Sequence, residues 1–168
     1  MAKNFKKKKE EDELIKRYEE YQKNKANHFF ELENFDYIIS HYQDNGKYSQ
    51  ALSAVNMAFD QYPFSIELLI VKSQVLSNLE KYDEALELLE KAETYQPSDG
   101  EIFHMKGSIL SLLGQYEDAI ENYRKAILFS EEKDEAYYSM GLAYQSIEKY
   151  EAAIQAYKSA IEENIYHD

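Results

Sequence analysis

A 34-residue period governs this chain. Tyr48, Tyr82, Tyr116 and Tyr150 recur at that spacing, and so do Ala51, Ala85, Ala119 and Ala153, and Ala58, Ala92, Ala126 and Ala160. Within each copy the two alanines stand seven apart, about two helical turns, so they share one helix face. Three columns in strict register over four copies call for a repeat array, in which each unit buries its apolar face against its neighbours.

The units occupy 32–65, 66–99, 100–133 and 134–167. Each reads as two antiparallel helices joined by a tight turn. First helices are expected over about 32–45, 66–79, 100–113 and 134–147, and second helices over about 48–61, 82–95, 116–129 and 150–164. Pro63 and Pro97, again 34 apart, fall just after second helices, where the chain has to leave the helix. Ser98 to Glu101 has capping-box spacing, and Asp134 is placed to cap the last pair. Gly46 and Gly114 lie in intra-repeat turns, where a positive φ is expected. Gly107 and Gly141 lie mid-helix, where glycine costs about 1 kcal/mol relative to alanine. That cost is bearable where the missing side chain admits a neighbour.

Ahead of the array, residues 10–31 read as a leader that caps its N-terminal end. Its helix runs over about 10–25, with Leu14, Ile15, Tyr18 and Tyr21 as the apolar stripe, and His28-Phe29-Phe30 docks it onto the first unit. Residues 1–9 carry five lysines and no acid, and are expected to form a disordered, solvated basic tail.

Charge and composition narrow the function. The chain has 19 basic and 32 acidic side chains; without the five tail lysines, 14 face 32, a net of −18. A body this acidic repels phosphate backbones, so no nucleic acid is expected as the main ligand. No apolar run approaches the ~18 residues of a membrane span, and the lysine-rich start is not followed by the apolar region of a secretory signal, so a cytoplasmic setting without membrane insertion is expected. Cysteine is absent, which removes thiol catalysis and thiolate zinc sites. His28, His41, His104 and His167 lack metal-ligand spacing, no phosphate-binding loop follows a strand, and the carboxylates fall on polar helix faces. No catalytic residue, metal or cofactor is therefore assigned, and no enzyme activity is expected.

The pattern resembles the tetratricopeptide repeat, whose unit has a large residue, an apolar–small pair, an aromatic, then alanine, an aromatic, alanine and proline. The third unit fills these places with Phe103, Lys106-Gly107, Leu110, Ala119, Tyr123 and Ala126, and the fourth with Tyr137, Met140-Gly141, Tyr144, Ala153, Tyr157 and Ala160. The first has Phe35, Ile38-Ile39, Tyr42, Ala51, Val55, Ala58 and Pro63, and the second Leu69, Lys72-Ser73, Leu76, Ala85, Leu89, Ala92 and Pro97. Lys72 and Lys106 replace an apolar residue and are expected to lay their stems along the groove between helices.

The resemblance implies an all-α fold: a right-handed superhelical α-solenoid of antiparallel helix pairs, with first helices lining a concave surface. It implies a non-catalytic scaffold that binds a peptide or partner protein there. The groove-facing places it implies are Asp36, Ile70, His104 and Tyr138, and Ser40, Gln74, Ser108 and Leu142. Glu33, Glu67, Glu101 and Glu135 also face that side, where they complement the helix dipole. One class of the family grips C-terminal carboxylates with Lys and Arg at these inner places. None is basic here, so a neutral or basic peptide fits better. The alternative is a self-assembly module. The array ends on a second helix, which would leave Ile154, Tyr157, Ile161 and Ile165 partly uncovered for a homodimer or for a longer native array.

Overall fold

The computed structural model describes residues 2–24 and 29–167. Among the described residues there are nine α-helices and no strand: α1 (Ala2–Asn24), α2 (Leu32–Asp44), α3 (Tyr48–Gln61), α4 (Ile66–Asn78), α5 (Tyr82–Tyr95), α6 (Gly100–Leu112), α7 (Tyr116–Phe129), α8 (Asp134–Ser146) and α9 (Tyr150–His167). Bounds of the repeat helices agree with the periodicity to within a few residues. The N-terminus does not follow the sequence expectation. Residues 2–9, expected as a disordered tail, are continuous with the leader helix in α1. Neither Gly nor Pro interrupts this stretch and lysine is a good helix former, so local propensity favours extension of the leader.

The chain divides into two compact units, one ending at Leu79 and one starting at Glu80. In the first, α1 to α4 share one core built on Phe30, Phe35, Ile38, Ile39, Tyr42, Ala51, Val55, Ala58, Leu68 and Val75, with Ile15 and Tyr18 from the leader. Phe30 joins leader to repeat. Its ring meets Tyr18 and Tyr21 edge-on at 6.1 Å each and Phe35 at 5.7 Å. Its N–H donates to Gln61 Oε1 (3.1 Å), and its carbonyl accepts from the Tyr62 hydroxyl (3.1 Å). Phe29 stays exposed, and His28 lies outside the described residues. Lys72 does more than lay down its stem: its ammonium sits 5.3 Å above the Phe59 ring.

In the second unit α6 pairs with α7 and α8 with α9, both antiparallel: Gly100 faces Ser130 while Gly107 faces Tyr123, and Asp134 faces Asn164 while Gly141 faces Tyr157. α8 closes over α7, its Ala136, Met140 and Ala143 joining Ala119, Ile120, Tyr123 and Ala126 in the core, with Phe103 from α6. All eight alanines of the two columns are buried, as close helix contacts require. Lys106 ends on Glu93, Nζ to Oε2 at 2.8 Å, so the unexpected lysine is paired in a largely buried place.

The turns repeat as strictly as the helices. Gly46 N–H donates to Gln43 O (2.9 Å) and Lys47 N–H to Tyr42 O (2.8 Å). The same pair of bonds recurs with Gly114 and Gln115, and with Glu148 and Lys149. Each closes a helix through a left-handed residue. Gly46 and Gly114 have φ of 67° and 74°; the same column continues in Glu80 (59°) and Glu148 (58°), where a side chain has to tolerate the left-handed region. Caps differ from the sequence expectation. Asp99, not Ser98, caps α6 by accepting from Glu101 N–H (2.9 Å). Asp134 is the first residue of α8 and not its cap.

Candidate functional site

In the first unit Asp36, Ser40 and Gln74 are exposed, whereas Ile70 is buried. Ile70 stands in the run Leu68-Leu69-Ile70-Val71, and a helix apolar on every side is drawn into the interior. The Asp36 carboxyl is held above its ordinary range, first by partial burial and then by the charges of Glu67 and Glu33. This face of α2 and α4 thus concentrates negative charge.

In the second unit the sequence-derived residues fall together in one open pocket of about 640 Å³ between α8 and α9, reaching α6. Its apolar wall is Tyr138, Tyr157, Ala160, Ile161 and Ile165; its polar edge is His104, Asp134, Glu135, Ser139 and Asn164. His104 and Tyr138 came from the groove positions, and Tyr157, Ile161 and Ile165 from the uncovered end. The antiparallel α8–α9 pair sets them side by side, with the Tyr138 and Tyr157 rings 5.6 Å apart. Ser108 is spent on its own helix, donating to His104 O (3.0 Å), and Leu142 and Ile154 are exposed outside the pocket wall.

Local chemistry fixes the polar edge. His104 Nε2 lies 3.2 Å from Ser139 Oγ, and its ring packs on Tyr123 at 5.6 Å. Burial pushes the imidazole below its ordinary range, with the Glu135 charge pulling the other way, so His104 is neutral at pH 7. Asn164 Nδ2 reaches Asp134 Oδ2 across the mouth (3.4 Å). The Tyr157 hydroxyl donates to Gln145 Oε1 (2.9 Å), and burial followed by the nearby Tyr138 raises its pKa. Among the described residues no group of three or more His, Asp or Glu is placed to hold a metal ion, and no helix is long and apolar enough to cross a membrane. The pocket is an apolar surface with an acidic rim, suited to binding by desolvation and charge.

Known proteins match this architecture. Family models described as tetratricopeptide repeat match residues 66–99 and 134–164, and a TPR repeat model matches residues 107–147, together more than half of the chain. No curated protein matches the sequence. The fold is similar to a crystal structure of MamA (20% identity, 99% of this chain and 96% of that chain covered, TM-score 0.75). It is also similar to MamA 41-end from Desulfovibrio magneticus RS-1 (18% identity, 99% and 93% covered, TM-score 0.76) and to another MamA crystal structure (21% identity, 97% and 87% covered, TM-score 0.72). At these identities the likeness concerns the fold. With the 34-residue period, the alanine columns and the paired helices, the matched models give one conclusion: the chain belongs to the tetratricopeptide repeat family.

Proposed function

We propose that this protein is a non-catalytic interaction scaffold that holds a neutral or basic peptide of a partner protein. The observation that carries the proposal is the α8–α9 pocket, where exposed tyrosine and isoleucine surface is edged by Asp134 and Glu135. Apolar walls supply affinity through burial, and an acidic rim selects against carboxylate-bearing ligands. The acidic face around Asp36 has the same sign.

Fluorescence anisotropy with a labelled lysine-rich peptide tests this. Affinity should fall as salt rises, because rim charges are screened. It should fall with Glu135→Lys. Salt-independent binding, or preference for an acidic peptide, would defeat the electrostatic part.

A second reading, self-association through α9, is favoured by the exposure of Ile154, Ile161 and Ile165. Sedimentation at tens of micromolar decides it. A dimer should dissolve with Tyr157→Glu and Ile161→Lys combined, while a monomer of unchanged mass removes this reading.

A further inference from the structure

We propose that Asn45-Gly46, in the turn between α2 and α3, is a site of spontaneous modification: an intramolecular conversion of the Asn45 amide to an acid, held back by the closed turn and released when the turn opens.

Sequence singles the pair out. Of the asparagines in the chain, Asn45 alone precedes a glycine; the others precede Phe, Lys, His, Met, Leu, Tyr or Ile. A side chain on the following residue shields its backbone nitrogen and stiffens the chain, and glycine does neither. At the same place in the other repeats stand Leu79, Leu113 and Ile147, which carry no amide side chain. Asn45 and Gly46 are both exposed, and a β-carbon added to Gly46 would meet nothing within 4 Å. Asp99-Gly100 is placed differently, with Gly100 buried against Ser130 and Asp99 Oδ1 accepting from Glu101 N–H.

The step is a nucleophilic acyl substitution within the chain. The Gly46 nitrogen attacks Asn45 Cγ, a C–N bond forms, and the Cγ–Nδ2 bond breaks. Nδ2 leaves as ammonia, taking the proton that the Gly46 nitrogen gives up. Water then opens the five-membered imide at either carbonyl. One product has an ordinary aspartate at position 45; in the other the main chain runs through Cβ and Cγ. Nothing is oxidised or reduced, and water is the only co-reactant.

Three features of the closed turn oppose the attack. Asn45 has a ψ of 7°, which eclipses the Gly46 nitrogen with the nitrogen of Asn45 and leaves Cβ a third of a turn away. The imide ring needs Cβ and the Gly46 nitrogen eclipsed instead. Gly46 N–H is committed to Gln43 O (2.9 Å), and Asn45 Nδ2 donates to His41 O (2.6 Å). Attack therefore waits for an opening that breaks both bonds, and a surface turn opens at far lower cost than a whole domain.

The products fit the turn less well. A carboxylate at position 45 has no hydrogen for His41 O, and it sets a second negative charge beside Asp44 at the C-terminal end of α2, where the helix dipole disfavours it. The isomer lengthens the main chain by a methylene, between the donors Gly46 and Lys47 and the acceptors Gln43 and Tyr42 that close α2. Once modified, the α2–α3 hairpin stays looser.

The test incubates the 168-residue chain at mildly alkaline pH, folded and in guanidinium chloride above its unfolding midpoint. Peptide mass mapping follows amide-to-acid exchange at every asparagine. In denaturant Asn45 should convert ahead of all the others; in the folded chain it should convert about tenfold more slowly or slower still, as the cost of opening a closed turn implies. Asn45→Asp, which makes the direct product, should lower the denaturant midpoint and speed amide hydrogen exchange at Gly46 and Lys47. Conversion of another asparagine ahead of Asn45 in denaturant overturns the site. Equal rates at Asn45 in the folded and unfolded chain overturn the gating by the turn. An Asn45→Asp variant with unchanged midpoint and unchanged exchange overturns the loosening.

Discussion

Gly107 lies directly beneath the ring of Tyr123: a β-carbon added there would come within 2.7 Å of Tyr123 Cε1 and 3.1 Å of the Ala119 carbonyl. Gly141 and Tyr157 repeat the arrangement one unit later, at 2.5 Å. The surroundings differ. Tyr123 is buried under α8, whereas Tyr157 is only half-buried and borders the open pocket; both hydroxyls are hydrogen-bonded, to Ser111 Oγ (3.2 Å) and to Gln145 Oε1 (2.9 Å). Gly107→Ala should therefore destabilise by about 1–2 kcal/mol, overpacking exceeding the gain in helix propensity. Gly141→Ala should be close to neutral. Urea unfolding of both variants checks the difference, and equal losses would contradict it.

The left-handed column offers a stabilising change. Glu80 and Glu148 carry positive φ where Gly46 and Gly114 stand in the other units. Glu148→Gly should relieve the β-carbon strain and stabilise by about 1 kcal/mol, and Gly114→Ala should cost about as much. Shifts in denaturant midpoint at constant slope would show both.

Removing Phe30 should release the leader. Its ring is fully buried against Tyr18, Tyr21 and Phe35, so Phe30→Ala is expected to cost about 3–5 kcal/mol. Amide hydrogen exchange should show the loss of protection first in α1 around Ile15 and Tyr18. Uniform loss across α8 and α9 would speak against a local role.

Acid should destabilise the protein through His104. Its folded pKa lies below the ordinary value, so the unfolded chain takes up the proton first as pH falls. The stability present at pH 7 should decline from about pH 6.5 downwards, through the folded value. His104→Gln should flatten that part of the profile of melting temperature against pH. An unchanged slope would exclude His104 as the source.

Asp36 has the opposite sense. A carboxyl raised by burial and by Glu67 and Glu33 is less stable ionised in the folded protein than in the unfolded one. Asp36→Asn should raise the melting temperature at neutral pH, with the gain vanishing at pH values below the ordinary carboxylate range.

The fold was legible because one period fixes both helix faces and turns. Ala51 and Ala58, or Ala119 and Ala126, locate a buried stripe without knowledge of what covers it. The helical run over residues 2–9 is not legible because their charge points to solvation while their helix propensity pulls the other way. The caps at Asp99 and the strained turn at Glu148 depend on backbone angles that side-chain identity does not set. The pocket was half legible. His104 and Tyr138 on one side, and Tyr157 and Ile161 on the other, were each singled out, but as separate surfaces. Their union follows from the hairpin register that sets Gly141 against Tyr157. Lys106 signalled its pairing only as a departure from an apolar pattern, since Glu93 lies on the preceding helix.

The glycine–tyrosine seats have a consequence for how such an array can change. In the first repeat the same two places hold Ile39 and Val55, and in the second Ser73 and Leu89, all buried; in the third and fourth they hold Gly107 with Tyr123, and Gly141 with Tyr157. Bulk has moved from the first helix to the second while the space between them stays filled. A chimera that joins a first helix carrying isoleucine to a second helix carrying tyrosine would clash, and the reciprocal exchange would leave a void. Recombination among these units is therefore viable only when a hairpin travels whole, which makes the helix pair, and not the single helix, the heritable part.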